Sequence, residues 1–217
     1  MTLKLNGSTS GSVSIDAPAS TAGGADRTLT LPDDSGNGTI LTTTSPKTGN
    51  IIQVKNVHFN SGVASQSHPA QNSSQSWWEY DNANLRVGIT PTSTDSKILV
   101  TGHVAVGCST STAISIRLYR RLGSGTGATV GQNTATNSTA RMAIVTAFID
   151  QTNATYTSPF SYYDTPANTS DEHVYYLAFT HNSSSTRLIG INRSGDDGST
   201  YDYTRASSAI TLMEVAG

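Results

Sequence analysis

The sequence predicts an all-β protein, an antiparallel jelly-roll-like β-sandwich with a short N-terminal β-rich anchoring arm. Three observations predict it. Apolar residues alternate with period two in run after run from residue 51 onward, and turn clusters separate the runs. Helix formers are scarce, with three Glu and four Lys in 217 residues. Ser and Thr number 30 and 32 beside 19 Gly, which favours strands and turns.

The arm comes first. Four short apolar pairs stand in it, Leu3/Leu5, Val13/Ile15, Leu29/Leu31 and Ile40/Leu41, with Gly, Ser, Asp and Pro between them. Each pair covers about one strand of roughly 5–6 residues. None has a partner long enough to build a core within the segment, so these eight residues read as anchoring positions that pack on something else. Composition changes at Ser45-Pro46-Lys47-Thr48-Gly49-Asn50. Residues 1–47 therefore read as an anchoring segment or short shaft, and 48–217 as the sandwich domain.

Nine strands are expected in that domain: 51–59, 85–90, 98–107, 113–122, 142–150, 156–163, 174–181, 188–192 and 209–215. Ile98, Val100, Val104 and Val106 share one face of their strand. Ile114, Ile116 and Leu118 share one face of the next, with Arg117 on the other. Turn-rich linkers such as Gly123-Ser124-Gly125-Thr126-Gly127 and Asn182-Ser183-Ser184-Ser185 leave no room for crossover helices, so the sheets should be antiparallel. Eight or nine strands in about 170 residues suit a two-sheet jelly roll.

Composition narrows the function. Hydrophobic residues make up 35% and charged residues 13%, against typical values of about 45–50% and about 25%. The modest apolar content points to an oligomer interface that supplies further burial. Net charge is -2 and the pI is about 6.2. The densest basic cluster is Arg117, Arg120 and Arg121, and Arg120 and Arg121 face opposite ways in a strand, so no nucleic-acid partner is expected. Cys108 is alone, which excludes an internal disulfide and a cysteine metal cage and makes it a small buried hydrophobe. No basic region followed by an apolar run opens the chain, and no stretch approaches 18 apolar residues, so neither a secretory signal nor a membrane partner is expected. Eight Asn-X-Ser/Thr triplets follow from an Asn-, Ser- and Thr-rich composition.

Few residues suggest chemistry. Asp196, Asp197 and Asp202 sit near a turn without the spacing of a calcium loop. His58, His68, His103, His173 and His181 show no zinc spacing, and no Gly-x-Ser-x-Gly elbow is present. No catalytic residue, metal or cofactor is expected, and the chain does not read as an enzyme. Aromatic residues cluster at Trp77-Trp78-Glu79-Tyr80, Tyr162-Tyr163, Tyr175-Tyr176 and Tyr201-Asp202-Tyr203. In such pairs one ring enters the core and the other meets a neighbouring subunit. Flat rings beside Asp or Asn also stack on sugars. Trp77, Trp78 and Tyr80, next to the polar loop 71–76, are the candidate glycan-binding residues.

Three stretches of the arm carry a resemblance: Ser12-Val13-Ser14-Ile15-Asp16-Ala17-Pro18, Gly23-Gly24-Ala25-Asp26-Arg27-Thr28-Leu29-Thr30-Leu31-Pro32 and Gly38-Thr39-Ile40-Leu41-Thr42. So do Ile51-Ile52-Gln53-Val54, the run from Ile89 to Val100, and the closing Ser207-Ser208-Ala209-Ile210-Thr211-Leu212-Met213-Glu214. These resemble structural fibre and decoration (knob) proteins of tailed bacteriophages, especially phages of marine and cyanobacterial hosts. The region from Arg121 to Arg205 matches only in its general strand pattern. The resemblance implies a virion protein whose N-terminal arm attaches to the major capsid or a tail protein. It also implies a homotrimeric head similar to the tumour-necrosis-factor-like fold, with a host cell-surface glycan as a further partner. Particles released by lysis would explain a chain without a signal but with an extracellular composition. A tail receptor-binding lectin and a polysaccharide depolymerase are the alternatives.

Overall fold

The computed structural model describes residues 2–6, 12–16, 47–61, 63–71, 76–79, 85–131, 143–166, 171–196 and 203–217; for 2–6, 12–16 and 63–65 it describes the backbone alone. The chain divides into two compact units, Met1–Ile40 and Leu41–Gly217.

In the first unit, β1 (Thr2–Asn6) and β2 (Ser12–Asp16) form an antiparallel ribbon. Its register sets Leu3 opposite Ile15 and Leu5 opposite Val13. Because side-chain direction alternates along a strand, the four apolar positions fall on one face of the ribbon. Leu29, Leu31, Ile40 and Leu41 lie outside the described residues.

The second unit holds β3 (Ile51–Phe59), β4 (Val63–His68), β5 (Trp78–Glu79), β6 (Arg86–Ile89), β7 (Lys97–Cys108), β8 (Thr112–Leu122), β9 (Ala128–Val130), β10 (Val145–Ile149), β11 (Tyr156–Asp164), β12 (His173–His181), β13 (Arg187–Ile191) and β14 (Ser208–Val215). All nine expected strands are present. Three more are short or polar: β4, β5 and β9. Every pairing is antiparallel.

Several strands are halves laid end to end. β14 and β13 occupy one edge of β7, while β11 takes the other. β5 and β6 share one edge of β12, and β9 and β10 share one edge of β8. Merging the halves leaves two four-strand layers, a front sheet β3-β14-β7-β11 and a back sheet β6-β12-β8-β10. The chain changes sheet at every step but one, from β8 to β10. That order is a jelly roll.

The core lies between the layers. Ile98, Val100, Val104, Val106 and Cys108 of β7 meet Ile114, Ile116 and Leu118 of β8, Tyr175, Leu177 and Phe179 of β12, and Ile210 and Leu212 of β14. Burial raises the pKa of the Cys108 thiol, in keeping with its place among hydrophobes.

Three polar groupings fix the layers. Asn192, fully buried, lies where β13 ends and β14 has yet to begin. Its Nδ2 donates to the carbonyls of Phe59 (2.8 Å) and Ser61 (3.1 Å), at the break between β3 and β4. Its Oδ1 accepts from the Ser208 hydroxyl (2.5 Å), whose oxygen accepts from Ala105 N (3.0 Å). Its own N–H donates to Ala105 O (2.8 Å). One side chain thus satisfies backbone groups on both sides of two interrupted strands.

At one end of the sandwich, buried Glu214 accepts from Gln53 Nε2 (2.6 Å) and from the Thr92 N–H and hydroxyl (both 2.7 Å). Burial alone would raise its pKa, but these hydrogen bonds outweigh burial and hold the carboxyl below its ordinary value. Beside that end, Asp164 of the front sheet accepts from Arg120 (2.6 Å) and Tyr175 (2.8 Å) of the back sheet. Burial, then the charge of Asp164, pushes the Tyr175 phenol up, so it stays a protonated donor.

Candidate functional site

Alternation along the strands sends half of each sheet outward, and the two outward faces differ in chemistry. On the front sheet the register places Val54, Met213, Leu99 and Tyr163 directly opposite one another across all four strands. Val54 is 53% and Tyr163 51% exposed. The neighbouring row contributes Ile51, exposed to 58%, and Val215 beside Lys97. Further along come a polar row, Asn56-Thr211-Thr101-Ser161, and then His58-Ala209-His103-Pro159. A run of aliphatic and aromatic side chains across a whole sheet is surface that association would remove from water.

On the back sheet the corresponding row is Thr129-Tyr119-Tyr176-Arg86. The Tyr119 and Tyr176 rings stack, with centroids 5.4 Å apart and planes at 17°. The guanidinium groups of Arg86 and Arg121 lie 5.9 and 5.6 Å from the Tyr176 ring centre. Arg86 pairs with Glu79. Burial raises the Tyr176 phenol pKa, and the charge of Glu79 adds to the shift. Two glycines permit this packing. A Cβ at Gly127 would overlap the Tyr176 hydroxyl, and one at Gly88 would overlap the Glu172 carboxylate.

The tryptophans sit beside that row. Gln71 places them: its N–H donates to Ser183 O (2.9 Å), its Nε2 to Pro69 O (2.9 Å), and its Oε1 accepts from Ser76 N (2.8 Å). The chain then enters β5, and the two rings part. Trp77 turns outward, with the Arg117 guanidinium 3.9 Å from its ring centre. Trp78 turns inward, 4.6 Å from the His68 ring and stacked 6.1 Å from His181. Both tryptophans are half-buried, while His68 and His181 are buried. Burial lowers the pKa of His68 to about 4, helped by His181, and burial lowers His181 as well. Tyr80 lies outside the described residues.

The sequence separated Arg120 from Arg121 and Tyr175 from Tyr176 correctly: the first of each pair faces Asp164 and the second faces out. It gave no sign that Tyr119 and Tyr176 meet, since only strand pairing brings them together. Among the described residues no group of three or more His, Cys, Asp or Glu side chains is placed to hold a metal ion. Asp197 and Asp202 lie outside the described residues.

No family model matches the sequence, and no curated protein matches it. Among solved structures, the chain aligns with two of infectious bursal disease virus. For the Gt strain, identity is 12% over 98% of this chain and 46% of that one, with a TM-score of 0.39. For the Gx strain, identity is 12% over 88% and 43%, with a TM-score of 0.36. A marine algae virus of the order Picornavirales aligns at 12% identity over 94% of this chain and 87% of that one, with a TM-score of 0.17. The chain spans less than half the length of the bursal disease virus chains. The jelly-roll assignment rests on this chain's own strand order.

Proposed function

We propose that this chain is a virion structural protein, a short fibre or capsid decoration protein whose arm attaches to the particle and whose jelly-roll head associates as a homotrimer. The resemblance of both chain ends to phage fibre and knob proteins supports the virion role and the number three. The observation that carries the assembly role is the front-sheet row Val54-Met213-Leu99-Tyr163, continued by Ile51 and Val215. Its members are far more exposed than residues of the core, and association of copies through this face would remove them from water. The β1–β2 ribbon supports attachment. A two-stranded hairpin is marginal alone in water, and its four apolar positions on one face call for a partner surface.

Light scattering on the purified protein tests the head. The expected mass is three times 22.7 kDa, and Leu99→Lys, a change at a half-exposed position, should shift it toward the monomer. A monomer at every concentration overturns the oligomer reading. Leu5→Asp with Val13→Asp in the full chain tests the arm. Particles should lose the protein while the mass in solution stays the same; undiminished incorporation overturns the anchoring role.

A further inference from the structure

We infer that the outward face of the back sheet is a binding platform for acidic saccharides, built on Tyr119 and Tyr176 with Arg86 and Arg121 beside them. The inference deepens the virion reading by assigning the host-facing chemistry to a surface, but it needs neither the trimer nor the arm. Its residues lie on the opposite side of the sandwich from the front-sheet row.

The two stacked tyrosine rings span β8 and β12 and offer a flat, half-exposed shelf. The C–H face of a pyranose ring packs on such a surface. The shelf is held in place before any ligand arrives. Tyr176 lies against Gly127, and both rings stand on paired strands, so little side-chain freedom is lost on binding.

The guanidinium groups select for an acid. A guanidinium that meets an aromatic ring through its plane keeps its N–H edge available for a carboxylate. The Arg121 guanidinium carbon lies over the Tyr176 ring, 5.6 Å from its centre, and Arg121 makes no ion pair among the described residues. Arg86 is engaged by Glu79, which holds it beside the ring. Two guanidinium groups therefore flank the Tyr176 ring, and Glu79 engages one of them, which leaves Arg121 to meet a ligand carboxylate. Uronic-acid polymers combine the two features this surface offers to meet, a flat sugar face and a carboxylate at its rim.

The experiment is native gel electrophoresis of the full-length protein through gels containing polygalacturonate, dextran or single-stranded DNA. The expected result is retardation by polygalacturonate and none by dextran. The retardation should weaken in about 1 M salt, where screening acts within about 3 Å. Arg121→Gln and Tyr119→Ala should each reduce it about tenfold, as loss of a central anchor does. Lys55→Gln, which removes the same charge from the front sheet, should leave it unchanged. The wild-type comparison of the three gels needs no variant, so poor folding of a mutant cannot hide the answer. Absence of retardation by polygalacturonate, equal retardation by dextran, or equal retardation of Arg121→Gln and Lys55→Gln overturns the inference. Retardation by single-stranded DNA as strong as by polygalacturonate also overturns it, in favour of a general polyanion surface. The mass of Arg121→Gln in solution should match the wild type, which separates failure here from failure of the oligomer reading.

Discussion

Asn192 occupies a backbone position that few side chains tolerate. Its φ is 59°, in the left-handed region, where Asn is among the least penalised non-glycine residues. The same residue joins the interrupted strands through its amide. Replacing it with Ala would leave the carbonyls of Phe59 and Ser61 and the hydroxyl of Ser208 without their partner in a buried place, and it would add backbone strain. Each unmatched buried group costs about 1–3 kcal/mol, and the effects overlap. Asn192→Ala is therefore expected to lose about 3–5 kcal/mol, read from the shift in the urea midpoint. A loss under about 1 kcal/mol would show that the amide is incidental. In the sequence Asn192 is one of eight Asn-X-Ser/Thr triplets and looks no different from the rest. Its burial depends on strand ends that lie far apart in the chain, which no local pattern reports.

At the scale of elements, legibility followed composition. β7, β8, β12 and β14 are dense in Ile, Val, Leu and Phe, and their alternation announced both strand and face. β4 reads Val-Ala-Ser-Gln-Ser-His, β5 is two residues and β9 is three; they are strands because a neighbour offers an edge. In the sequence the tryptophans stand beside a polar loop, and β5 is the reason they divide between the two faces. The junction of β4, β5 and β12 has a consequence for acid stability. His68 titrates at about 4 in the fold, against 6.5 as a free side chain. Between those values the unfolded chain carries more protons, so stability falls as pH drops from 6.5 toward 4 and is fully present above 6.5. That difference is worth about 3 kcal/mol. His181 titrates in the same direction, with Arg187 nearby adding repulsion. Glu214 acts later, because its stabilisation is lost only as pH falls through a carboxyl value already below the ordinary range. Urea midpoints measured across this pH window should fall steadily for the wild type and be clearly flatter for His68→Phe. Parallel slopes for the two proteins would remove His68 from the account.

For the whole molecule, the path between sheets matters more than any one strand. The chain crosses from layer to layer at nearly every step, so most pairings join distant segments, and such topologies fold slowly. β14 shows the extreme. It lies inside the front sheet, between β3 and β7, yet it is the last strand of the head to be made. On the ribosome, β3 and β7 must wait with an unfilled slot between them, each presenting bare backbone groups and half of a core. A sheet in that state invites strands from other chains. A message that stops after Ala206 should thus yield protein that partitions almost wholly into the pellet after lysis, although only the end of the chain is missing. Recovery of that shortened chain in the soluble fraction would mean that the head closes without its last strand. The head is therefore subject to a timing constraint as well as a structural one: protein synthesis must run to Val215 before any part of the front sheet is safe from its neighbours on the same polysome.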